Sequence, residues 1–391
     1  MIVLKQSLLN FFKGGSAVGV LLIIATVLAM LLSNSPFAHM YENFLDIPVV
    51  ISVHEFSIAK PLLLWVNDGL MAIFFFMVGM EIKREVLEGS LNHISKVVVP
   101  AFAAIGGMVV PALVYVAFNW GDPVGMQGWA IPMATDIAFA LGVLSLLGKR
   151  VPPELKIFLL ALAIIDDLGA IIIIAVFFGH GLSASALAVS GFFIFVLMIM
   201  NWRGVTNNTA YILIGVIVWA AVLKSGVHAT IAGVIVGLLI PLRNNRESFH
   251  ELEESLRGPV NYTILPLFAF VNTGVNFSGV NAKDFMDNVT VGITLGLFLG
   301  KQVGIFSFSL LAVTLKLGKL PESLNLSHVF GVAILGGIGF TMSLFIGSLA
   351  FECTEGVCID MTDERIGILA GSLFSGVMGY LYLKWTLPEK A

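Results

Sequence analysis

Charged residues are scarce in this sequence of 391 residues. Asp, Glu, Lys and Arg together make up 12% of the chain, whereas hydrophobic residues make up 58%. In soluble globular proteins roughly a quarter of the residues are charged. The composition therefore excludes an ordinary soluble domain and indicates an integral membrane protein.

Several motifs of known chemistry are absent as well. The sequence contains no Gly-x-x-x-x-Gly-Lys-Ser/Thr phosphate loop, no His-Glu-x-x-His and no Cys-x-x-Cys metal motif. The connections between its apolar runs are short, which leaves no room for a nucleotide-binding domain. We therefore expect no cofactor and no nucleic-acid partner.

Apolar runs of helix length are abundant, and about 20 apolar residues are what an α-helix needs to cross a bilayer. The sequence offers twelve candidates, the first of them retained because no small-residue cleavage site follows it. Their approximate bounds are 16–34, 62–82, 98–119, 127–147, 156–178, 184–202, 209–223, 227–241, 258–275, 291–314, 329–350 and 366–387. The predicted fold class is an all-α polytopic membrane protein with about 12 transmembrane helices, forming one transmembrane domain over residues 1–391.

The positions of the basic residues predict the orientation of these runs. With the N-terminus in the cytoplasm, sixteen of the 21 Lys and Arg residues fall on the inner side, four fall on the outer side, and Lys301 lies inside the tenth run. Loops that remain in the cytoplasm carry an excess of Lys and Arg. We therefore expect both termini to be cytoplasmic.

Two outer loops carry further expectations. Residues 33–61 contain the partly alternating segment 49–58, which suggests a short β-hairpin whose edge could pair with a second copy of the chain; an ordinary surface loop is the alternative.

Cys353 and Cys358 fall in the loop after the eleventh run, in an oxidising compartment where a disulfide could persist. Two free thiols are the alternative there.

Two adjacent acids, Asp166 and Asp167, occupy the middle of the fifth run. A rise of about 1.5 Å per residue places them about 15 Å deep, which is the centre of a bilayer core about 30 Å thick. Carboxyl groups at that depth are costly and mark functional sites. A polar cap on a soluble helix is the alternative, and the isoleucine run 171–174 argues against it.

Lys301 lies at a matching depth in the tenth run, and a buried ammonium group needs a partner. Neighbouring helix residues point about 100° apart, so Asp166 and Asp167 cannot both face it equally. We expect one of the two acids to pair with Lys301 and the other to face a water-filled cavity.

Two runs show signs of interruption. The fourth contains Pro132 to Asp136, with Thr135 between them, and the eleventh contains the glycine-rich segment 336–343 with its hydroxyl residues. These runs cross the membrane in opposite directions, which points to an inverted repeat of runs three to five (98–178) and ten to twelve (291–387) around a midplane site. Asp136 would then offset the positive ends of the half-helices, and Lys301 the negative ends.

Other polar residues have weaker interpretations. His228 is either a group that titrates near neutral pH or a hydrogen-bonded interfacial histidine. Asp68 is either the polar wall of an outer funnel or an ordinary interfacial acid. Glu81, Arg84 and Glu85 form a charge cluster at the inner end of the second run, and a solvated helix end explains that cluster equally well.

Five segments together resemble the NhaA-type sodium/proton antiporters of bacterial inner membranes, and the resemblance covers nearly the whole chain. These segments are Ala134 to Gly142, Ile164 to Ala170, Ser225 to Thr230, Gly300-Lys301 and Gly337 to Ser343. The resemblance implies a multi-pass inner-membrane transporter rather than an enzyme, acting as a homodimer. It implies exchange of Na⁺ or Li⁺ for H⁺ at Asp166 and Asp167.

The same resemblance implies roles for other residues. Asp136, Thr135 and Lys301 would support the crossed, broken helices, with Gly337 and Gly339 at a hinge. Glu81, Glu85, His228 and Glu254 would regulate transport by pH, and we expect His228 to lie near a cluster of these carboxylates that faces the cytoplasm. The register of the Glu251-Leu252-Glu253-Glu254 segment leaves Glu253 as the alternative to Glu254. Gln302 follows Lys301 where many members of the family have Pro.

Buried carboxylates can couple two ion flows. Sodium is a hard cation that prefers oxygen ligands, and the carboxylates that bind it also bind protons, so competition for one site couples the flows. Two carboxylates that hold one monovalent cation keep a surplus negative charge, which predicts electrogenic transport. A passive cation channel and an intramembrane aspartyl protease are the alternatives, although adjacent acids on one helix cannot form a protease dyad across two facing helices.

Overall fold

The structure is a computed structural model, and it describes residues 16–54, 56–92, 94–179, 181–242, 245–279, 284–351 and 362–388. Helices dominate these residues, which confirms the predicted all-α polytopic architecture. Cys353 and Cys358 lie outside the described residues, so the structure does not test the predicted disulfide.

Helices are numbered here in chain order. They are α1 (Ser16–Ser33), α2 (Ala38–Leu45), α3 (Leu62–Leu87), α4 (Ile94–Phe118), α5 (Ile137–Ser145), α6 (Pro153–Phe177), α7 (Ala184–Trp202), α8 (Asn208–Leu223), α9 (Thr230–Leu239), α10 (Arg246–Pro259), α11 (Leu265–Asn272), α12 (Asn288–Thr314), α13 (Leu326–Leu335), α14 (Phe340–Ala350) and α15 (Thr362–Thr386). Short 3-10 helices cover Ser90–Asn92, Gly125–Met133, Gly148–Arg150, Phe277–Gly279 and Asp284–Met286. Wider π-helical turns occur at Val66–Leu70 within α3, at Val260–Ile264 between α10 and α11, and at Gly296–Gly300 within α12.

Every one of the twelve predicted apolar runs overlaps a helix or a pair of helices. In the described part of the chain, six helices are long and apolar enough to cross a membrane, or nine if each of three bent pairs is one span. Helices α8 and α9 have 16 and 10 residues, fewer than the roughly 20 that span a bilayer core without help. The total of twelve spans therefore stays a prediction.

Contacts divide the chain into two compact units. Unit 1 comprises residues 1–34, 90–170 and 273–391, and unit 2 comprises residues 35–89 and 171–272. Helix α6 contributes to both, and its first eighteen residues, 153–170, belong to unit 1. Each unit is described by itself below.

Unit 1 is held together by helices that approach closely at small residues. Gly106 of α4 and Gly304 of α12 face each other, and a Cβ on either would overlap the carbonyl oxygen of the other. Small residues bring backbones together in this way in lipid, where close packing, and not the hydrophobic effect, drives helices to associate. The glycine contact brings α12, and with it Lys301, against α4.

Unit 2 contains the only strands of the described chain. Strand β1 (Pro48–Val53) pairs antiparallel with β2 (Phe56–Pro61), and Val50 lies opposite Ala59. Gly233 packs on the Ala72 carbonyl, and Gly237 packs on the Phe76 carbonyl. The contacts advance by four residues on both helices, which shows that α3 and α9 run parallel. The hairpin leads directly into α3.

The glycine contact in unit 1 gives a first prediction. Gly304→Ala should lower the unfolding temperature in detergent, because forcing a methyl group into a packed backbone contact costs about 1–3 kcal/mol. Gly191→Ala on α7 is the matched control, since a Cβ there meets nothing within 4 Å. That variant should unfold at the wild-type temperature or slightly above it, because Ala favours a helix over Gly by about 0.5–1 kcal/mol. Equal losses in both variants would contradict the proposed packing.

Candidate functional site

The first interruption lies where the 3-10 helix Gly125–Met133 ends. Ala134 and Asp136 adopt extended backbone conformations, with ψ angles of 151° and 101°, before α5 begins at Ile137. The axes on the two sides differ by 42°. Extended residues leave backbone donors and acceptors without helical partners, and such groups must find partners elsewhere inside a membrane protein.

The second interruption supplies those partners. Helices α13 and α14 bend by 48° across residues 336–339. The Asp136 amide donates to the Ile338 carbonyl at 2.7 Å, and the Thr135 hydroxyl donates to the Gly336 carbonyl at 2.9 Å. The two breaks therefore cross and satisfy each other's backbone groups.

Asp136 joins the N-termini of two half-helices. Its carboxylate accepts from the Phe139 amide of α5 at 2.8 Å and from the Thr341 amide of α14 at 3.1 Å. The Thr341 hydroxyl also donates to it. Since helix N-termini carry partial positive charge, this 2%-exposed carboxylate is balanced by the ends of both helices.

The glycines of the second break have no room for a side chain. A Cβ on Gly337 would overlap the Leu297 carbonyl and the Ser375 hydroxyl, and a Cβ on Gly339 would overlap the Ser343 hydroxyl. The Ser343 hydroxyl donates to the Ile131 carbonyl at 2.8 Å. Glycine at these positions therefore lets the two breaks and α12 approach closely.

Lys301 is the buried cation of the site. Its ammonium donates to the Asp166 carboxylate at 2.7 Å and to the Thr135 hydroxyl at 2.9 Å, and Asp166 and Lys301 are 1% and 0% exposed. Lys301 begins the α-helical turn that follows the π-helical turn Gly296–Gly300. Of the two adjacent acids, Asp166 is therefore the partner of Lys301.

Asp167 occupies the next position on α6 and is 1% exposed. Its charge acts on Lys301, while the direct contact of Lys301 is with Asp166. The Oδ1 atom of Asp166 is buried and has no hydrogen-bond partner among the described residues. One lysine thus faces two acids, so the pair carries an excess of negative charge when both carboxyl groups are ionised, and it has at least one oxygen that can accept a proton or a cation.

A second polar group lies in unit 2, around Asp68 in the π-helical turn of α3. The Lys60 ammonium is 2.6 Å from its carboxylate, and the His228 Nε2 atom is 3.5 Å from it. The His228 Nδ1 atom lies 2.8 Å from the Thr230 hydroxyl. This pairing ties the end of the β-hairpin, the start of α3 and the start of α9 together.

A third group surrounds Arg84 near the end of α3. Its guanidinium lies 2.7 Å from Glu85, 3.1 Å from Glu253 and 3.8 Å from Glu81. The Glu254 side chain is 76% exposed and contacts Arg257 at 3.7 Å. The structure thus brings Glu253 into this cluster, while Glu254 lies outside it.

His228 does not join the Arg84 cluster. It lies against Asp68, and Glu81 follows Asp68 by thirteen residues on α3, or about 20 Å along the helix. Because α9 runs parallel to α3, His228 and the acids lie at opposite ends of this helix pair. Our expectation that His228 lies near the cluster was wrong, because spacing along the chain does not fix which end of a neighbouring helix a residue meets.

Sequence reasoning missed several contacts of the site. It singled out the hydroxyls near the second break but did not pair Thr341 with Asp136. It also missed Ser372 of α15, whose hydroxyl accepts from the Phe340 amide at 3.1 Å and caps α14. A hydroxyl in an otherwise apolar helix was the available signal, but it is a weak one, because serines often bond to their own helix.

Comparison with known proteins gives consistent results. The family model described as Na⁺/H⁺ antiporter 1 matches residues 9–383. The Na⁺/H⁺ antiporter NhaA of Yersinia pseudotuberculosis serotype O:3 is 53% identical over 384 residues, which cover 97% of each chain. The NhaA proteins of Yersinia pestis biovar Antiqua and Yersinia enterocolitica show the same identity over the same share of each chain.

A solved structure with a similar fold is that of the sodium proton antiporter MjNhaP1 from Methanocaldococcus jannaschii. It matches with a TM-score of 0.56 over 95% of this chain and 92% of its own. The two sequences are 14% identical, so this likeness concerns the fold alone.

The pairing of Lys301 gives a second prediction. Asp166→Asn should lower the free energy of unfolding by about 3–5 kcal/mol, because it leaves a buried ammonium without its partner. Adding Lys301→Met should restore most of the loss, since it removes the orphaned charge. Asp167→Asn keeps the Lys301–Asp166 contact and should cost less than Asp166→Asn. Thermal unfolding in detergent compares the stability of the wild type, the two single variants and the double variant. The pairing is wrong if the double variant is no more stable than Asp166→Asn.

Proposed function

Because the chain belongs to the Na⁺/H⁺ antiporter 1 family, we propose that it exports Na⁺ across a bacterial inner membrane in exchange for external H⁺, at a site formed by Asp166 and Asp167. The observation that carries the proposal is the buried pair of acids beside the crossed breaks, with one lysine bonded to one of them. Such a site holds more negative charge than its lysine neutralises.

Competition for the carboxylates couples the two ions. Carboxylate oxygens suit a hard cation such as Na⁺, and Li⁺ is the second cation that we assign to the site. A proton that binds Asp166 or Asp167 removes a charged ligand, so a cation and protons exclude each other. If the site opens to one side at a time, each cation that leaves is replaced by protons from the other side.

The breaks provide a reason for the site to move as a unit. Asp136 holds the N-termini of α5 and α14, and Thr135 connects Lys301 to the carbonyl of Gly336. A change in the charge of Asp166 acts on Lys301 directly and on both half-helices through Thr135. Gly337 and Gly339 are the hinge of this movement.

Charge counting predicts electrogenic exchange. If Lys301 withdraws from Asp166 when the cation binds, the two carboxylates around one monovalent cation retain a negative charge, so more than one proton returns for each cation exported. A membrane potential then contributes about 2.3 kcal/mol per net charge per 100 mV. A passive channel would instead carry sodium current without obligatory proton movement.

Orientation and assembly complete the proposal. We assign both termini to the cytoplasm from the distribution of Lys and Arg. Val50 and Ile51 of the hairpin are each about half exposed, and an exposed strand edge can pair with another strand. We therefore propose a homodimer that pairs at the hairpins.

Regulation by pH is assigned to two polar groups. The Arg84 cluster contains Glu81, Glu85 and Glu253, all of which contact the Arg84 guanidinium, and Glu253 also accepts from Arg257 at 3.3 Å. His228 belongs to the group around Asp68. Both groups lie against α3 or α9, so a change in the charge of either group can bias the packing of that helix pair.

Proton release tests the exchange directly. Adding Na⁺ to the purified wild-type protein should release protons, measured with a pH indicator or by calorimetry, because the cation displaces protons from the acids. Asp167→Asn should abolish Na⁺-driven exchange in vesicles without unfolding the chain. Glu322→Gln, at an exposed acid outside the site, should release protons like the wild type. If the variant with both Asp166→Asn and Asp167→Asn still releases protons on adding Na⁺, the binding site lies elsewhere.

Neighbouring acids on α10 test the assignment of pH control. Glu253→Gln should move the pH profile of transport to lower pH by about one unit, because a cluster with one negative charge fewer attracts protons less strongly. Its maximal rate should change little. Glu254→Gln is the matched control and should leave the profile in place, since that side chain is exposed. Equal shifts in both variants would show that the Arg84 cluster is not the sensor.

A further inference from the structure

Glu364 is a buried acid that the exchange site does not use. It lies in the first turn of α15 and is 2% exposed. Its Oε2 atom is buried and has no hydrogen-bond partner in the described part of the chain. Burying an ionised carboxylate without a partner costs far more than burying a neutral carboxyl group.

The carboxyl group of Glu364 packs against the backbone of α14. A Cβ on Gly347 would lie 3.0 Å from its Oε1 atom and 3.1 Å from its Oε2 atom. Helix α14 carries no ionisable side chain, and Gly347 offers none. The contact therefore places no charge opposite the carboxyl group.

The nearby ionisable groups make hydrogen bonds to residues other than Glu364. Arg365 is the cation whose charge acts on Glu364, and its guanidinium donates to the Gly274 carbonyl. The Tyr115 hydroxyl of α4 donates to the Gly125 carbonyl. Asp122 and Asp287 accept from the Val124 and Val289 amides. These hydrogen bonds all go to residues other than Glu364, and the Oε2 atom of Glu364 has no donor among the described residues.

We propose that Glu364 is a proton-binding site separate from Asp166 and Asp167, and that it releases its proton when the first turn of α15 separates from α14. In the packed position the carboxyl group is neutral and fits against the backbone of Gly347. Once ionised, it requires water, and reaching water opens the contact.

The position of this contact connects it to the broken helices. Gly347 follows Thr341 by six residues on α14, or about 9 Å along the helix, and Thr341 bonds to Asp136. The proton on Glu364 therefore holds α14 in the position in which it meets Asp136. This consequence rests on the proposed exchange function, whereas the proton site itself does not.

Infrared spectroscopy tests the proton directly. Glu364→Gln, whose side chain matches the neutral carboxyl group in shape, should lose intensity at neutral pH in the band of protonated carboxyl groups. Glu322→Gln, at an exposed position away from Glu364, is the control and should keep that intensity. Glu364→Met serves in the same assay if the Gln variant does not fold. An unchanged band in the folded Glu364 variants would overturn the proposal.

Thermal unfolding gives a second readout with a defined sign. If the folded chain holds a proton on Glu364 that the unfolded chain has lost, the folded state binds more protons, and its stability falls as pH rises. The unfolding temperature of the wild type should therefore drop more steeply between about pH 5 and about pH 8 than that of Glu364→Gln. Equal slopes would contradict the proposal. Neither readout uses transport. A negative result for Glu364 therefore does not affect the proposed exchange at Asp166 and Asp167, and the Glu364 proposal can still be tested if that exchange is not found.

Discussion

A charge removed from water must be balanced where it lies, and the core of unit 1 is arranged to meet that requirement. Asp136 is balanced by two helix N-termini, and Asp166 by the Lys301 ammonium. The breaks in the helices follow from the same requirement, because only an interrupted helix can turn its terminal amides toward a buried carboxylate. Regular helices would have left Asp136 without donors.

Close backbone packing makes this arrangement possible. The Gly106–Gly304 contact holds α12 against α4, and Gly337 and Gly339 let the second break lie against α12 and the first break. Larger residues would move the helices apart and break hydrogen bonds such as that between Lys301 and Thr135. The glycines therefore serve the polar site as much as the stability of the helices.

The fold was predictable from apolar run length, and the contact of Lys301 with one of the two acids from their matching depth, because both depend on distance along the chain. That reasoning put Lys301 at the level of the acids and found both breaks. It could not choose Asp166 over Asp167 or Glu253 over Glu254, because neighbouring residues on a helix differ in direction, which a sequence read without its partner helices does not reveal. His228 was misplaced for a related reason, since its partner Asp68 lies on another helix.

The Thr135 hydroxyl lies between the Lys301 ammonium, which donates to it, and the Gly336 carbonyl, to which it donates its single proton. The oxygen of that hydroxyl faces the ammonium of Lys301. If Lys301 withdrew, it would uncover this neutral oxygen together with a carboxylate oxygen of Asp166. Departure of the lysine would therefore assemble a mixed ligand set for a cation, one oxygen charged and one uncharged.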